Sequence, residues 1–140
     1  MAGELLLDTG ALVGLLDRSQ SVHQACIDFY STWRDAVVTT EAVLTESMHL
    51  LSGVRNGGVA CIDFVLDGDV VLVPSTKVSL KRCRALLEKY SDLPIDFADA
   101  TLIVLAEEMN TDMVFTLDSD FRIYRIRGRK SFRLFPVLPH

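Results

Sequence analysis

Cysteine is scarce in this 140-residue sequence, and its three copies, Cys26, Cys61 and Cys83, are odd in number and far apart. That excludes a disulfide frame and a closed zinc site. Each lies in an apolar, helix-like segment and reads as a small buried hydrophobe in a reducing cytoplasm. No apolar run approaches the roughly 20 residues of a membrane-spanning helix, so no membrane association is expected. No basic region precedes the first apolar segment, and a signal peptide is therefore not expected either. The histidines, His23, His49 and His140, show no metal-binding spacing, and the glycines at 53–58 lack a phosphate-loop pattern. Repeats, low-complexity stretches and linkers are missing too, and the length suits one domain over residues 1–140 with a substantial core.

Acids are absent from residues 121–140, which carry six basic groups: Arg122, Arg125, Arg127, Arg129, Lys130 and Arg133. The net charge is −5 overall, so the preceding 120 residues carry −11. An acidic body with a basic tail does not look like a general nucleic-acid binder. If it handles a polyanion, bound cations or that tail must offset the repulsion.

Short apolar runs alternate with helical patterns. Strands are predicted at 4–8 (ELLLD), 36–40 (AVVTT), 69–74 (DVVLVP) and 113–118 (MVFTLD). Helices are predicted at 9–18, 21–34 with Ser21 as N-cap, 41–52, 56–67, 76–91 and 97–110. Strands separated by helices of this length imply βαβ units in a mainly parallel sheet of four to five strands. The end of the chain, FRIYRIRGRKSFRLFPV, reads differently: two strands around Gly128, a late hairpin or an edge addition.

Ligands of open parallel sheets sit at the carboxyl ends of the strands. The first strand run ends in Asp8 and the fourth in Asp118, with Asp120 just after it. Glu46 occupies a helix face with Ala42, Val43 and Leu50, and Asp99 opens a helix that is apolar nearly all round. Each acid also has an ordinary use. Asp8 can cap a helix, Asp118 can start an Asx-turn, Asp96 can be an N-cap backed by Asp99, and Glu46 can be solvated. Four carboxylates meeting without cations would repel one another. A hard divalent cation with oxygen ligands resolves this, and Mg²⁺ suits a carboxylate-only site.

Four segments carry a family likeness: LLLDTGALVGLLDRSQSVH, TTEAVLTESMHLL, DLPIDFADATLIVLAEEMN and VFTLDSDFRIYRI. They resemble, in order and spacing, the motifs of PIN domains, and most closely those of bacterial VapC-like toxins. The likeness runs from residue 5 to about 126. It picks Glu46 rather than Glu41, Asp99 in the Phe-Ala-Asp-Ala position, and Asp118 after the Thr-Leu pair. The four acids are separated by 38, 53 and 19 residues.

The resemblance implies a flavodoxin-like or PIN-type three-layer α/β/α fold and a metal-dependent endoribonuclease. It also implies homodimerisation and neutralisation by a VapB-like antitoxin. On that reading Asp8, Glu46, Asp99 and Asp118 are catalytic. Asp8 and Asp99 hold Mg²⁺, or Mn²⁺ in its place, and Glu46 and Asp118 complete the metal pocket. Asp96 then assists Asp99, and Asp120 shares or replaces the role of Asp118. Arg122, Arg125 and Arg127 are the candidate RNA-binding residues; their ordinary reading is a solvated edge hairpin. Two competitors remain: a catalytically inactive PIN-like interaction module, and a phospho-acceptor receiver domain. The receiver ranks low because AVVTT and DVVLVP do not close in the acid and late lysine it needs.

Overall fold

The computed structural model describes residues 3–137; His140 lies outside them. Its centre is a five-stranded sheet in the order β3-β2-β1-β4-β7, with every pairing parallel. The strands are β1 (Leu5–Leu7), β2 (Val37–Thr39), β3 (Val71–Leu72), β4 (Met113–Phe115) and β7 (Arg133–Phe135). The remaining two, β5 (Arg125–Ile126) and β6 (Lys130–Ser131), form an antiparallel hairpin around Gly128. Arg127 and Gly128 both take positive φ in its turn, 52° and 71°. Gly128 holds that backbone without the penalty a side chain would impose.

Helices α1 (Thr9–Leu16), α2 (His23–Thr32), α3 (Glu41–Leu50), α4 (Gly57–Asp67), α5 (Lys77–Lys89) and α6 (Phe97–Met109) flank the sheet. The central strands β1, β2 and β4 are buried while β3 and β7 at the sheet edges are partly exposed, and side chains alternate between the two faces. Leu5, Leu7, Val37, Met113 and Phe115 pack with α1, α2 and α4. Leu6, Val38 and Val114 pack with α5, α6 and the tail residues Phe121, Tyr124, Ile126 and Phe132. The result is the expected three-layer α/β/α arrangement. Helix α3 contributes to both layers, Val43 to one and Leu44 to the other.

Several boundaries differ from the sequence expectation. Ser21 is not an N-cap: α2 begins at His23 after Val22, without a side-chain cap. The Asp17 carboxylate accepts from the Ser19 amide and hydroxyl, at 2.9 and 2.6 Å, and this turn runs up to the helix start. The basic tail holds three short strands rather than two. Both expected outcomes occur, since the hairpin forms and β7 then adds to the sheet edge beside β4. The three cysteines are buried free thiols. Among the described residues no helix is long and apolar enough to cross a membrane.

The chain leaves β1 for β2 on one side and returns to β4 on the other, so the sheet order reverses between β1 and β4. A crevice forms outside the carboxyl ends of strands at such a point. Asp8 follows β1 there, and Thr116 to Asp118 follow β4.

Candidate active site

Asp8 is buried, with an extended backbone before α1 and no capping bond from its side chain. Its Oδ2 accepts from the Thr116 hydroxyl at 2.6 Å across the β1–β4 boundary. Burial pushes its carboxyl up to about 6; Thr116 and the Thr9 backbone oppose the rise, and the charges of Asp118 and Asp96 add to it.

Asp99 lies in the first turn of α6, also buried. Asp96 caps this helix, its Oδ1 accepting from the Asp99 amide at 2.8 Å, while Asp99 Oδ2 accepts from the Asp96 amide at 3.4 Å. This capping box fixes both carboxylates relative to the helix start. The buried Tyr124 hydroxyl donates to Asp99 Oδ2 at 3.3 Å. Burial first, then the charges of Asp8 and Asp96, holds Asp99 well above the usual carboxylate range. Burial and the neighbouring carboxylates push the Tyr124 phenol up as well, so it stays a proton donor.

Glu46 projects from α3, half-buried. Burial raises its carboxyl, as does the Asp96 carboxyl beside it; the nearby Thr9 hydroxyl opposes this. That hydroxyl is buried and has no partner at hydrogen-bonding geometry, nor has the buried Ser47 hydroxyl next to Glu46 in sequence. Asp118 precedes a 3₁₀ turn (Ser119–Arg122). It accepts from the Asp120 amide at 2.9 Å, and its own amide donates to Thr116 Oγ1 at 2.9 Å. Burial lifts its carboxyl too, with the charges of Asp120 and Asp96 adding to the rise.

The structure thus brings Asp8, Glu46, Asp99 and Asp118 into one electrostatic neighbourhood, with Asp96 common to all. Asp120 stands beside Asp118. Among the described residues no ion pair reaches any of these carboxylates; the ion pairs involve Glu88, Glu107 and Asp112. Nor do three acidic, histidine or cysteine side chains converge as a ready-made coordination cage. The donor set consists of carboxylate and hydroxyl oxygens, the carboxylates mutually repelling and, among the described residues, without an ion-paired cation. Such a set fits a hard divalent cation bound partly through water.

The tail arginines separate. Arg122 lines a cavity with Asp118. Arg125 folds back, its Nη1 donating to the carbonyls of Arg122, Ile123 and Tyr124. Arg127 lies at the far end of α6, its backbone amide and guanidinium bonded to Glu107. Sequence reasoning gave Tyr124 no role and named Thr116 only as part of a motif. The period of Phe121 and Tyr124, three residues apart and apolar-facing, was the available signal for the tyrosine.

The PIN domain family model matches residues 5–126. Ribonuclease VapC26 of Mycobacterium tuberculosis is 27% identical over 136 residues, which cover 94% of this chain and all of that protein. The crystal structure of VapC20 of M. tuberculosis, described as a Sarcin-Ricin loop cleaving toxin, is similar with a TM-score of 0.77 at 19% identity. That match covers 83% of this chain and 91% of the other. VapBC2 from Rickettsia felis, bound to a DNA fragment from its promoter, is similar with a TM-score of 0.62 at 15% identity, covering 94% and 98%.

Proposed function

The chain belongs to the PIN-domain family, and on that premise we propose that it is a divalent-cation-dependent endoribonuclease of the VapC toxin kind. The observation that supports this reading is the shared electrostatic neighbourhood of Asp8, Glu46, Asp99 and Asp118, none of which has an ion-pair partner among the described residues. Structural use alone gives no reason to desolvate several like charges together. Perturbed carboxylates in a crevice are what hydrolytic chemistry requires.

Asp8 and Asp99 are the residues that would hold the cation, directly or through water, with Glu46 and Asp118 completing the pocket. A bound Mg²⁺ or Mn²⁺ offsets the charge of the scissile phosphate and makes water easier to deprotonate. The protein's own groups do the rest. Thr116 and Tyr124 fix the orientations of Asp8 and Asp99. Glu46 or Asp118 accepts the proton of the attacking water. The new P–O bond forms as the bond to the 3′ oxygen breaks, and that oxygen leaves as a hydroxyl once protonated. The products carry a 5′-phosphate and a 3′-hydroxyl, and the 2′-hydroxyl is not the nucleophile. RNA preference then comes from shape and single-strand geometry.

An antitoxin of the VapB kind and a homodimer belong to the same proposal. Structural neighbours support the first, one being a toxin–antitoxin complex from Klebsiella pneumoniae. Exposed apolar side chains such as Val59, Leu66 and Val78 supply surface for either contact.

The test is incubation of the protein with a panel of structured RNAs in Mg²⁺ and in EDTA, beside Asp8→Asn. Cleavage that needs Mg²⁺ and is lost in the variant is expected. A panel untouched by the intact protein in Mg²⁺ favours an inactive interaction module.

A further inference from the structure

The acidic site opens on two sides. Glu46 and Asp96 face a groove shared with Leu80 and Phe97. Asp118 faces a separate cavity of about 370 Å³ between the 3₁₀ turn and the segment around β7. Asp8 and Asp99, the buried pair, feel the charges of both Asp96 and Asp118.

The cavity beside Asp118 has two unlike walls. One is apolar and comes from Phe132, Leu134 and Pro136; the other is polar, from Asp118, Ser119 and Arg122. Arg122 is its cationic member. The side chain is exposed and, among the described residues, makes neither an ion pair nor a hydrogen bond, whereas Arg125, Arg127 and Arg133 each have bonded partners. An uncommitted guanidinium next to a patch of carboxylates is placed to take a phosphate that those carboxylates would repel. The volume falls in the range of small-ligand pockets, and a lining that joins apolar side chains with a cation suits a base and its phosphate together.

We propose that this cavity seats the nucleotide adjoining the scissile bond, its phosphate on the Arg122 guanidinium and its base on the wall of Phe132, Leu134 and Pro136. The proposal rests on the nuclease reading for its biological sense, but it can be tested without cleavage. Its contacts are a phosphate and a base face, features common to every nucleotide, so it selects a single-stranded, splayed nucleotide rather than a sequence.

The experiment is amide NMR titration of the protein in EDTA with adenosine and uridine 5′-monophosphates, and with ribose 5-phosphate as a baseless probe. Shifts should cluster at residues 119–122 and 132–137. Ribose 5-phosphate should bind more weakly. Arg122→Gln should weaken the nucleotides roughly tenfold, the scale of a lost charge-assisted bond, and Arg122→Lys less. Binding of a short single-stranded RNA should lose about 0.7 from its log–log salt slope in Arg122→Gln, one phosphate contact's worth. In Mg²⁺ the same variant should raise KM for RNA with kcat little changed, and Arg129→Gln should match wild type. Nucleotide shifts confined to other surfaces, or an Arg122→Gln protein that binds and cleaves as wild type, overturn the proposal. Nucleotide binding at the cavity in a protein that cuts no RNA leaves the subsite standing and removes the nuclease reading.

Discussion

Helix α6 carries a buried acid at each end, and the two are treated in opposite ways. Asp99 in the first turn is 7% exposed and Glu107 in the last is 9% exposed, so burial penalises both. Around Asp99 stand other acids, and its carboxyl is held high. Around Glu107 stand the Arg82 fork, bonded at 2.8 and 2.9 Å, and the Arg127 amide at 2.7 Å. Burial pushes Glu107 up as well, but Arg82 and Arg127 outweigh it, and the carboxyl is held below its usual range. Asp112, just before β4, is treated likewise by Arg133 and Lys130. One end of the sheet satisfies its acids with arginines and gains stability. The other concentrates unpaired acids at a cost in stability, which the proposed nuclease reading accounts for.

The sharpest break in that comparison is Asp8→Asn. Cleavage should fall by roughly a thousandfold or more, while urea denaturation shows a protein at least as stable as wild type. A variant that unfolds instead would make Asp8 a structural residue like Glu107. Next comes Glu107→Ala, which strands Arg82 and the Arg127 amide. Stability should drop by about 2 kcal/mol, at the low end for a buried pair because Arg82 is partly solvated. Activity per folded molecule should hold.

Asp99→Asn should go the other way, raising stability in EDTA at neutral pH by roughly 1–2 kcal/mol, because the amide is neutral already whereas Asp99 must take up a proton on folding. Its mirror-image response to Glu107→Ala is the test of the whole contrast. The smallest effect is the pH profile of melting temperature. Glu107 and Asp112 have folded pKa values below their unfolded ones, so their stabilisation is present above about pH 4 and is lost as pH falls through the folded values. Asp8, Asp99 and Glu46 have raised folded values. Their protonated forms favour the fold, and stability declines as pH climbs from about 4 through about 6 for Asp8 and higher for the other two. In EDTA the melting temperature should therefore sag toward pH 8, and Mg²⁺ should flatten that arm by binding the ionised form. An EDTA profile that rises to pH 8 would mean the acids are not desolvated together.

Much of this was legible before any coordinates. Strand runs that close in an acid, LLLD and MVFTLD, locate Asp8 and Asp118 because a parallel strand exposes its carboxyl end to the crevice. Glu46 and Asp99 were legible as charges on apolar helical faces. The sorting of the arginines was not. Adjacency in sequence groups Arg122, Arg125 and Arg127, but the hairpin turns the chain beneath the far end of α6 between the first and the last. Only tertiary pairing with Glu107, 20 residues upstream, separates them. The Tyr124 contact with Asp99 is likewise tertiary, and the sequence offers only its apolar spacing from Phe121.

Thr116 has a single proton to give. The Asp118 amide can only donate to its oxygen, which leaves that proton free for Asp8 Oδ2, 2.6 Å away. While that bond stands, a proton carried by Asp8 sits on Oδ1. One hydroxyl rotor thus decides which edge of a carboxylate can gain or lose hydrogen, and a methyl in its place, as in Thr116→Val, would leave that edge undefined and an amide stranded.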